Sequence, residues 1–314
     1  MTEVYSPTQL KSAAAPQTSP RKRLNDRWLT FGTFALLLTT WALTTGMGPW
    51  DPIIKPLFLP SPALVVQAFF QLLENGFQGK TLGQHVGISL YRFSVAFFFC
   101  IIIGVPVGLM MGMNRRFRAI LEPPIQAIRP VPKIALLPLF LIWFGIGNLS
   151  KIIVIAAPVF PLIAISAMQA VQSVSEKKIQ AAQSLGASRW TVFSRIVLPA
   201  SLPGIFTGIR LSISIAVTML VAAELTATSE GIAWMALTAA EFLATNVVIV
   251  AVLIMAVIGF GLDRLFWLIE TRIVHWSGKE SALVTQTRNR LSSLAISIFR
   301  AAQRPPYRVR NRHL

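Results

Sequence analysis

At 314 residues, with 54% hydrophobic and only 13% charged side chains, the chain carries about half the charge of a soluble globular domain, which places most of it in lipid. A net charge of +17 in a soluble protein would point to nucleic acid, but the 29 Lys and Arg residues sit between apolar runs and at the termini, so that reading is set aside. The single cysteine, Cys100, lies inside an apolar run and excludes an intrachain disulfide framework.

Residues 1–27 are polar and end in the basic cluster Arg21, Lys22, Arg23 and Arg27. The apolar stretch from Trp28 to Met47 is too long for the core of a cleaved signal peptide and is expected to be a retained first span. Ser61, Pro62 and Gly76 then predict a short helix, with a cap, a proline at its first position and a glycine stop. Five further apolar runs follow at about 86–112, 125–146, 152–172, 207–227 and 246–269, a total of six spans. Gly104, Gly108 and Gly112 form a small-residue ridge for close helix packing, within the chain rather than between copies. Pro123, Pro124, Pro130, Pro132 and Pro138 predict a kinked start to the third span. Freed carbonyls are not tolerated in lipid, so that segment should face the protein interior.

Threading the spans from a cytoplasmic N-terminus puts Arg115, Arg116, Arg118, Lys177, Lys178, Arg189, Arg195, Arg272 and Lys279 on the inside. Only Lys55, Lys80 and Lys151 fall outside. This asymmetry places both termini in the cytoplasm. The domain reading is therefore a cytoplasmic segment 1–27, an all-α membrane domain 28–276, and a basic tail 277–314. The tail interleaves arginines with Leu291, Leu294, Ile296, Ile298 and Phe299; an amphipathic helix on the anionic inner leaflet, a disordered tail and a regulatory contact are its three readings.

The long inside connection, residues 173–204, reads as helix, glycine turn, helix. Ser173 and Glu176 suggest a capping box, Gly186 breaks the first helix, and Ser188 caps a second that ends at Leu198-Pro199. Such an elbow, held at both ends, can pass a push from a soluble partner to the membrane domain. No GxxxxGK[ST] loop occurs, so the chain has no phosphate cradle of that type and is not expected to be an enzyme; ATP hydrolysis would come from elsewhere. His85, His275 and His313 are scattered without an HExxH pattern, so no metal site is expected.

Charges in or beside spans are costly and point to protein or water. Arg92, Glu224 and Glu241 are the candidates for a substrate path; the alternative for each is a structural ion pair or snorkelling. Trp143 and Phe144 read as interface anchors. The segment from Thr226 to Asn246 is too polar to span and is expected to fold back as a short helix, as part of a gate or as a surface cap.

Within the elbow, Ala181-Ala182, three residues, Gly186-Ala187, and then Ile196 and Leu198-Pro199 resemble the EAA loop of ABC-importer permeases, with Gln180 where that motif usually has Glu. Beyond the loop, RPVPKIALLPLFLIWFGIGNLSKI, LVAAELTAT and EFLATNVV are similar to taurine and aliphatic-sulfonate permeases of the nitrate, sulfonate and bicarbonate group. The likeness runs from about Leu59 to Trp276. It implies a MetI-like core in the bacterial inner membrane and a homodimer that binds two ATPase subunits and a periplasmic binding protein. It implies no cofactor in this chain, with ATP and Mg held by the ATPases. It also implies that Gln180, Ala181, Ala182, Gly186, Ala187, Ile196, Leu198 and Pro199 couple the two parts. The alternatives are a nitrate or bicarbonate permease and an ion-driven secondary transporter.

Overall fold

The computed structural model describes residues 26–47 and 51–276; the basic cluster Arg21, Lys22 and Arg23 and the whole C-terminal tail lie outside them. Regular structure among the described residues is helical apart from one isolated bridge between Phe77 and Lys80. The chain forms two compact units, Met1–Val65 and Val66–Leu314.

In the first unit, α1 (Asp26–Thr44) has 19 residues and extends about 28 Å. Thr33, Thr40 and Thr44 turn their hydroxyls back onto carbonyls four residues earlier, which satisfies polar groups on an otherwise apolar helix. Helix α2 (Pro62–Asn75) begins as the sequence predicts, with the Ser61 hydroxyl accepting from Leu64 N at 3.5 Å, and continues into the second unit. Gly76 ends it at φ +69°, where any side chain would meet the Lys80 carbonyl carbon at 2.9 Å.

Three helices make the core of the second unit: α3 (Leu82–Met113), α6 (Asn148–Gln172) and α9 (Leu198–Glu224). Thr81 and Gln84 close a capping box at the start of α3. Helix α6 lies between the other two, and both approach it on glycines. A Cβ on Gly108 would meet Ala167 Cβ at 2.6 Å, one on Gly112 would meet Val171 Cβ at 2.6 Å, and one on Gly204 would meet Ala170 Cβ at 2.8 Å. Phe93, Phe97, Ile155, Val159, Ile163, Ile209 and Ile213 fill the space between. The ridge of α3 is thus an intramolecular packing surface, as expected. Helix α11 (Thr245–Ile273) packs on α9 and leaves Val257 and Phe260 about three-quarters exposed, a surface suited to lipid rather than water.

Three expectations are refined or corrected. Against the six apolar runs, four helices among the described residues are long and apolar enough to span by themselves: α3, α6, the continuous helix Arg189–Glu224, and α11. A fifth span exists only if a bent pair is counted, and the apolar part of α1 is shorter than the others. That bent pair is the third run. Here α4 (Arg115–Ile128) and the helix Lys133–Phe144, which includes α5 (Leu137–Phe144), meet at 85°. Pro130 and Pro132 lack N–H groups and cannot continue the ladder of α4, so the chain turns. Nor does the segment face the interior of this chain. Ile125 and Leu137 are buried, but Ile120 and Ile142 are more than 70% exposed, because α3, α6 and α9 already fill the core.

The third correction concerns the elbow. Ser173 donates to the Ala170 carbonyl, and Ser175 takes the N-cap of α7 (Glu176–Ser184) without a side-chain bond, so the capping box does not form. Gly186, at φ +79°, does end α7: Ala187 N bonds Ala182 O and Gly186 N bonds Gln183 O, the paired closure of a Schellman turn. Ser188 caps α8 (Arg189–Val192) as expected. The second helix does not stop at Leu198-Pro199. A wide-turn segment, Phe193–Val197, absorbs the donor missing at Pro199 and carries the helix into α9.

Candidate functional site

The two features that carry chemistry lie toward opposite ends of α3. The stretch from Arg92 to Gly112 rises about 30 Å, the thickness of a bilayer's hydrocarbon core.

Toward the start of α3, His85, Ser89 and Arg92 share one face at helical spacing. Opposite them is Glu224, the last residue of α9. Arg92 is 2% exposed and Glu224 fully buried, and Arg92 Nη1 lies 3.0 Å from Glu224 Oε1. Arg92 also donates through Nε to Asn148 Oδ1 at 2.9 Å and through Nη1 to the Glu230 carbonyl at 3.0 Å, so its donors are spent locally. Glu224 accepts from Ser89 Oγ at 2.7 Å and from Ala233 N at 3.1 Å. A buried charge pair is tolerable only when its remaining donors and acceptors are satisfied in this way.

The same side chains hold the start of α10 (Ile232–Glu241). Gly231 N donates to His85 Nδ1 at 3.2 Å, Ile232 N to Ser89 Oγ at 3.0 Å, and Ala233 N to Glu224. These are N–H groups that a helix start leaves unpaired, and here two other helices supply the acceptors. Since His85 Nδ1 accepts, its Nε2 carries the proton and donates to Phe77 O at 3.2 Å, with Trp234 stacked on the ring. Gly231 is obligatory: its φ is +121°, and a Cβ would strike the Glu224 carboxylate. Buried Lys151 donates to the carbonyls of Ala227 and Gly147. At the rim, Lys80 and Arg92 both reach Glu230. The hydrogen bond from Lys80, with its charge and that of Arg92, holds the Glu230 carboxyl below the usual range.

At the other end of the bundle, the elbow presents Gln180 and Ala181 to solvent, with Leu185 89% exposed beside Gly186. Ala182 and Ala187 pack against the cluster of Val171, Val192 and Val197 that fastens the elbow to α6 and α9. Ile196, Leu198 and Pro199 are half-buried in the run into α9, and the Pro199 carbonyl accepts from Trp276 Nε1.

The structure therefore brings Arg92 and Glu224 into one site and leaves Glu241 exposed at the end of α10. Sequence reasoning missed His85, Ser89, Asn148 and Lys151 as partners, although polar residues at positions 85, 89 and 92 of an apolar helix were a usable signal. It also missed a second network within the spans. Arg210 on α9 binds Asp263 on α11 through two bonds, at 3.0 and 3.2 Å, and Glu270 at 3.3 Å.

Residues 104–275 match the family described as "Binding-protein-dependent transport system inner membrane component". The chain is 41% identical over 266 residues to the taurine transport system permease protein TauC of Escherichia coli (strain K12), covering 82% of this chain and 95% of that one. It is 34% identical to the putative aliphatic sulfonates transport permease protein SsuC of Bacillus subtilis (strain 168), covering 77% and 85%. A chain of the inward-facing MetNI methionine ABC transporter superposes with a TM-score of 0.52 at 21% identity, over 62% of this chain and 94% of that one, which supports the fold. The matched region takes in α6, the elbow and the α9 end that holds Glu224. This chain belongs to the family of inner membrane components of binding-protein-dependent transport systems.

Proposed function

We propose that the chain is the permease subunit of a bacterial ABC importer for a small sulfonate, with taurine or an alkanesulfonate favoured over nitrate and bicarbonate. The observation that carries this is 41% identity with a taurine permease over nearly that protein's whole length. The elbow supports the mechanism: Leu185 and Gly186 stand free at its tip, and from Arg189 the helix runs on to Glu224, so a push at one end is felt at the other. On this reading two ATPase subunits grip the elbows of two permease copies, bind ATP and Mg, and close. The motion passes along α9 to open a path on the far side, where a periplasmic binding protein delivers substrate. Gln180, Ala181, Ala182, Gly186, Ala187, Ile196, Leu198 and Pro199 are the coupling positions. Both termini are cytoplasmic in the inner membrane. The Arg92–Glu224 pair serves to seat α10, and Glu241 is the candidate for contact with the path.

A broken span whose carbonyls are freed by proline cannot face lipid. The exposed α4–α5 segment is therefore assigned to the contact with the second copy.

The test is uptake of labelled taurine, ethanesulfonate, nitrate and bicarbonate by cells expressing the assembled transporter. The expected outcome is ATP-dependent sulfonate accumulation that Gly186→Trp abolishes while membrane insertion, read by immunoblot of membrane fractions, is unchanged. Gly186 has open space around it but a left-handed backbone, so the tryptophan strains the turn and blocks the tip. Uptake that persists without an ATPase subunit would instead establish an ion-driven carrier, and preference for nitrate or bicarbonate would move the substrate.

A further inference from the structure

Alongside the last two turns of α3, within a helix long and apolar enough to span, runs a groove of about 400 Å³. Helix α3 contributes Pro106, Leu109, Met110 and Met113, and the elbow closes it with Trp190 and Phe193, whose rings lie 5.5 Å apart. The lining is apolar except for Arg189, which stands at the elbow's second cap with no ion pair among the described residues. No carboxylate lines the groove itself; Glu176 lines the adjoining pocket that shares Met113, Arg189 and Phe193, and makes no ion pair with Arg189. One residue beyond Met113, a shallow basic hollow is lined by Asn114, Arg115 and Arg116.

We propose that this groove holds an anionic phospholipid, with an acyl chain along α3 and against Trp190 and the phosphodiester on Arg189. From Pro106 to Met113 the groove rises about 10 Å, enough to run from the headgroup layer into the hydrocarbon. Trp190, 72% exposed, has the amphipathic ring favoured at that boundary. Charge decides the headgroup: an arginine with no ion pair among the described residues selects an anion, Arg115 and Arg116 follow Met113 within three positions of the chain, and anionic lipid is concentrated on the cytoplasmic leaflet. A docked ATPase is expected at the Leu185 tip, beyond the membrane boundary. The assignment rests on the cytoplasmic placement of the elbow but not on which solute is carried.

The experiment uses the full chain in nanodiscs containing brominated phosphatidylglycerol or brominated phosphatidylcholine at equal mole fraction. Bromine quenches tryptophan at contact, and the difference between the wild type and Trp190→Phe isolates one of the chain's 8 tryptophans. The expected result is Trp190 quenching at least twofold stronger with phosphatidylglycerol, the preference falling to parity in Arg189→Gln. Should that variant insert poorly, displacement of the quencher from wild type by unbrominated phosphatidylglycerol but not phosphatidylcholine gives the same answer. Equal quenching by the two lipids overturns the anionic assignment, and no Trp190 quenching by either shows that protein covers the groove. Both readouts are independent of uptake, so the lipid site and the importer reading fail separately.

Discussion

Glu230 shows how a single side chain at the rim of the buried cluster reports on the whole. Its carboxylate bridges Lys80 and Arg92 and is about one-third exposed, so its contribution is that of a partly exposed, solvent-screened ion pair, about 1 kcal/mol or less. Because those partners depress its folded value below the unfolded one of about 4.3, the stabilisation is complete above that pH and is lost as pH falls through the depressed value. Glu230→Gln should therefore melt below wild type at pH 7 in detergent, with the gap closing as the pH is taken below about 4. A constant gap across that range would mean that the carboxylate's charge is not what holds the loop. The buried members of the cluster were only partly legible in the sequence. Arg92 and Glu224 are conspicuous because a charge in an apolar run demands a reason. Nothing in the order of residues says that Glu224 also caps a helix starting eight positions later, or that His85 must accept from Gly231. Those assignments come from three segments meeting in space.

For the elements, local chemistry was read well where it acts within one turn and badly where packing intervenes. Ser61, Gly76, Gly186 and Ser188 each perform the cap or stop their residue type predicts, because those bonds close within four residues. The box expected at Ser173 failed because its hydroxyl found a nearer carbonyl on α6. The expected stop at Pro199 failed because a wide turn can absorb a proline when the flanking helix is anchored by Val192 and Val197. The ridge of α3 makes the corresponding prediction. Gly108→Leu has no volume to occupy against Ala164 and Ala167 and should cost more than about 3 kcal/mol, seen as loss of the monodisperse peak on size exclusion. Gly87→Leu, on an open face of the same helix, should keep it. Equal behaviour of the two would remove the close α3–α6 contact from the argument.

Across the whole molecule, the buried polar cluster and the elbow are joined by one unbroken helix, Arg189–Glu224, a stiff link between two ends of the bundle. The sharply bent α4–α5 segment seats Ile125 and Leu137 against the cores but leaves Ile120 and Ile142 exposed among the described residues. With Cys100→Ser removing the one native thiol, Ile142→Cys should form a disulfide-linked dimer on mild oxidation of membranes, as read by non-reducing electrophoresis. A monomer band alone would withdraw this surface as the contact between copies. By itself the sequence determined that the protein is a helical membrane component with a glycine-broken elbow between two of its apolar runs. Apolar run length, charge asymmetry and cap residues are properties of neighbouring positions in the chain. The tertiary structure alone decided the sharp bend in the third apolar run, the pairing of Arg92 with Glu224 around the start of α10, and the passage of the elbow into α9. Each depends on which helix fills the space beside another, and burial, not residue order, decides whether a proline breaks a helix or a charge finds its partner.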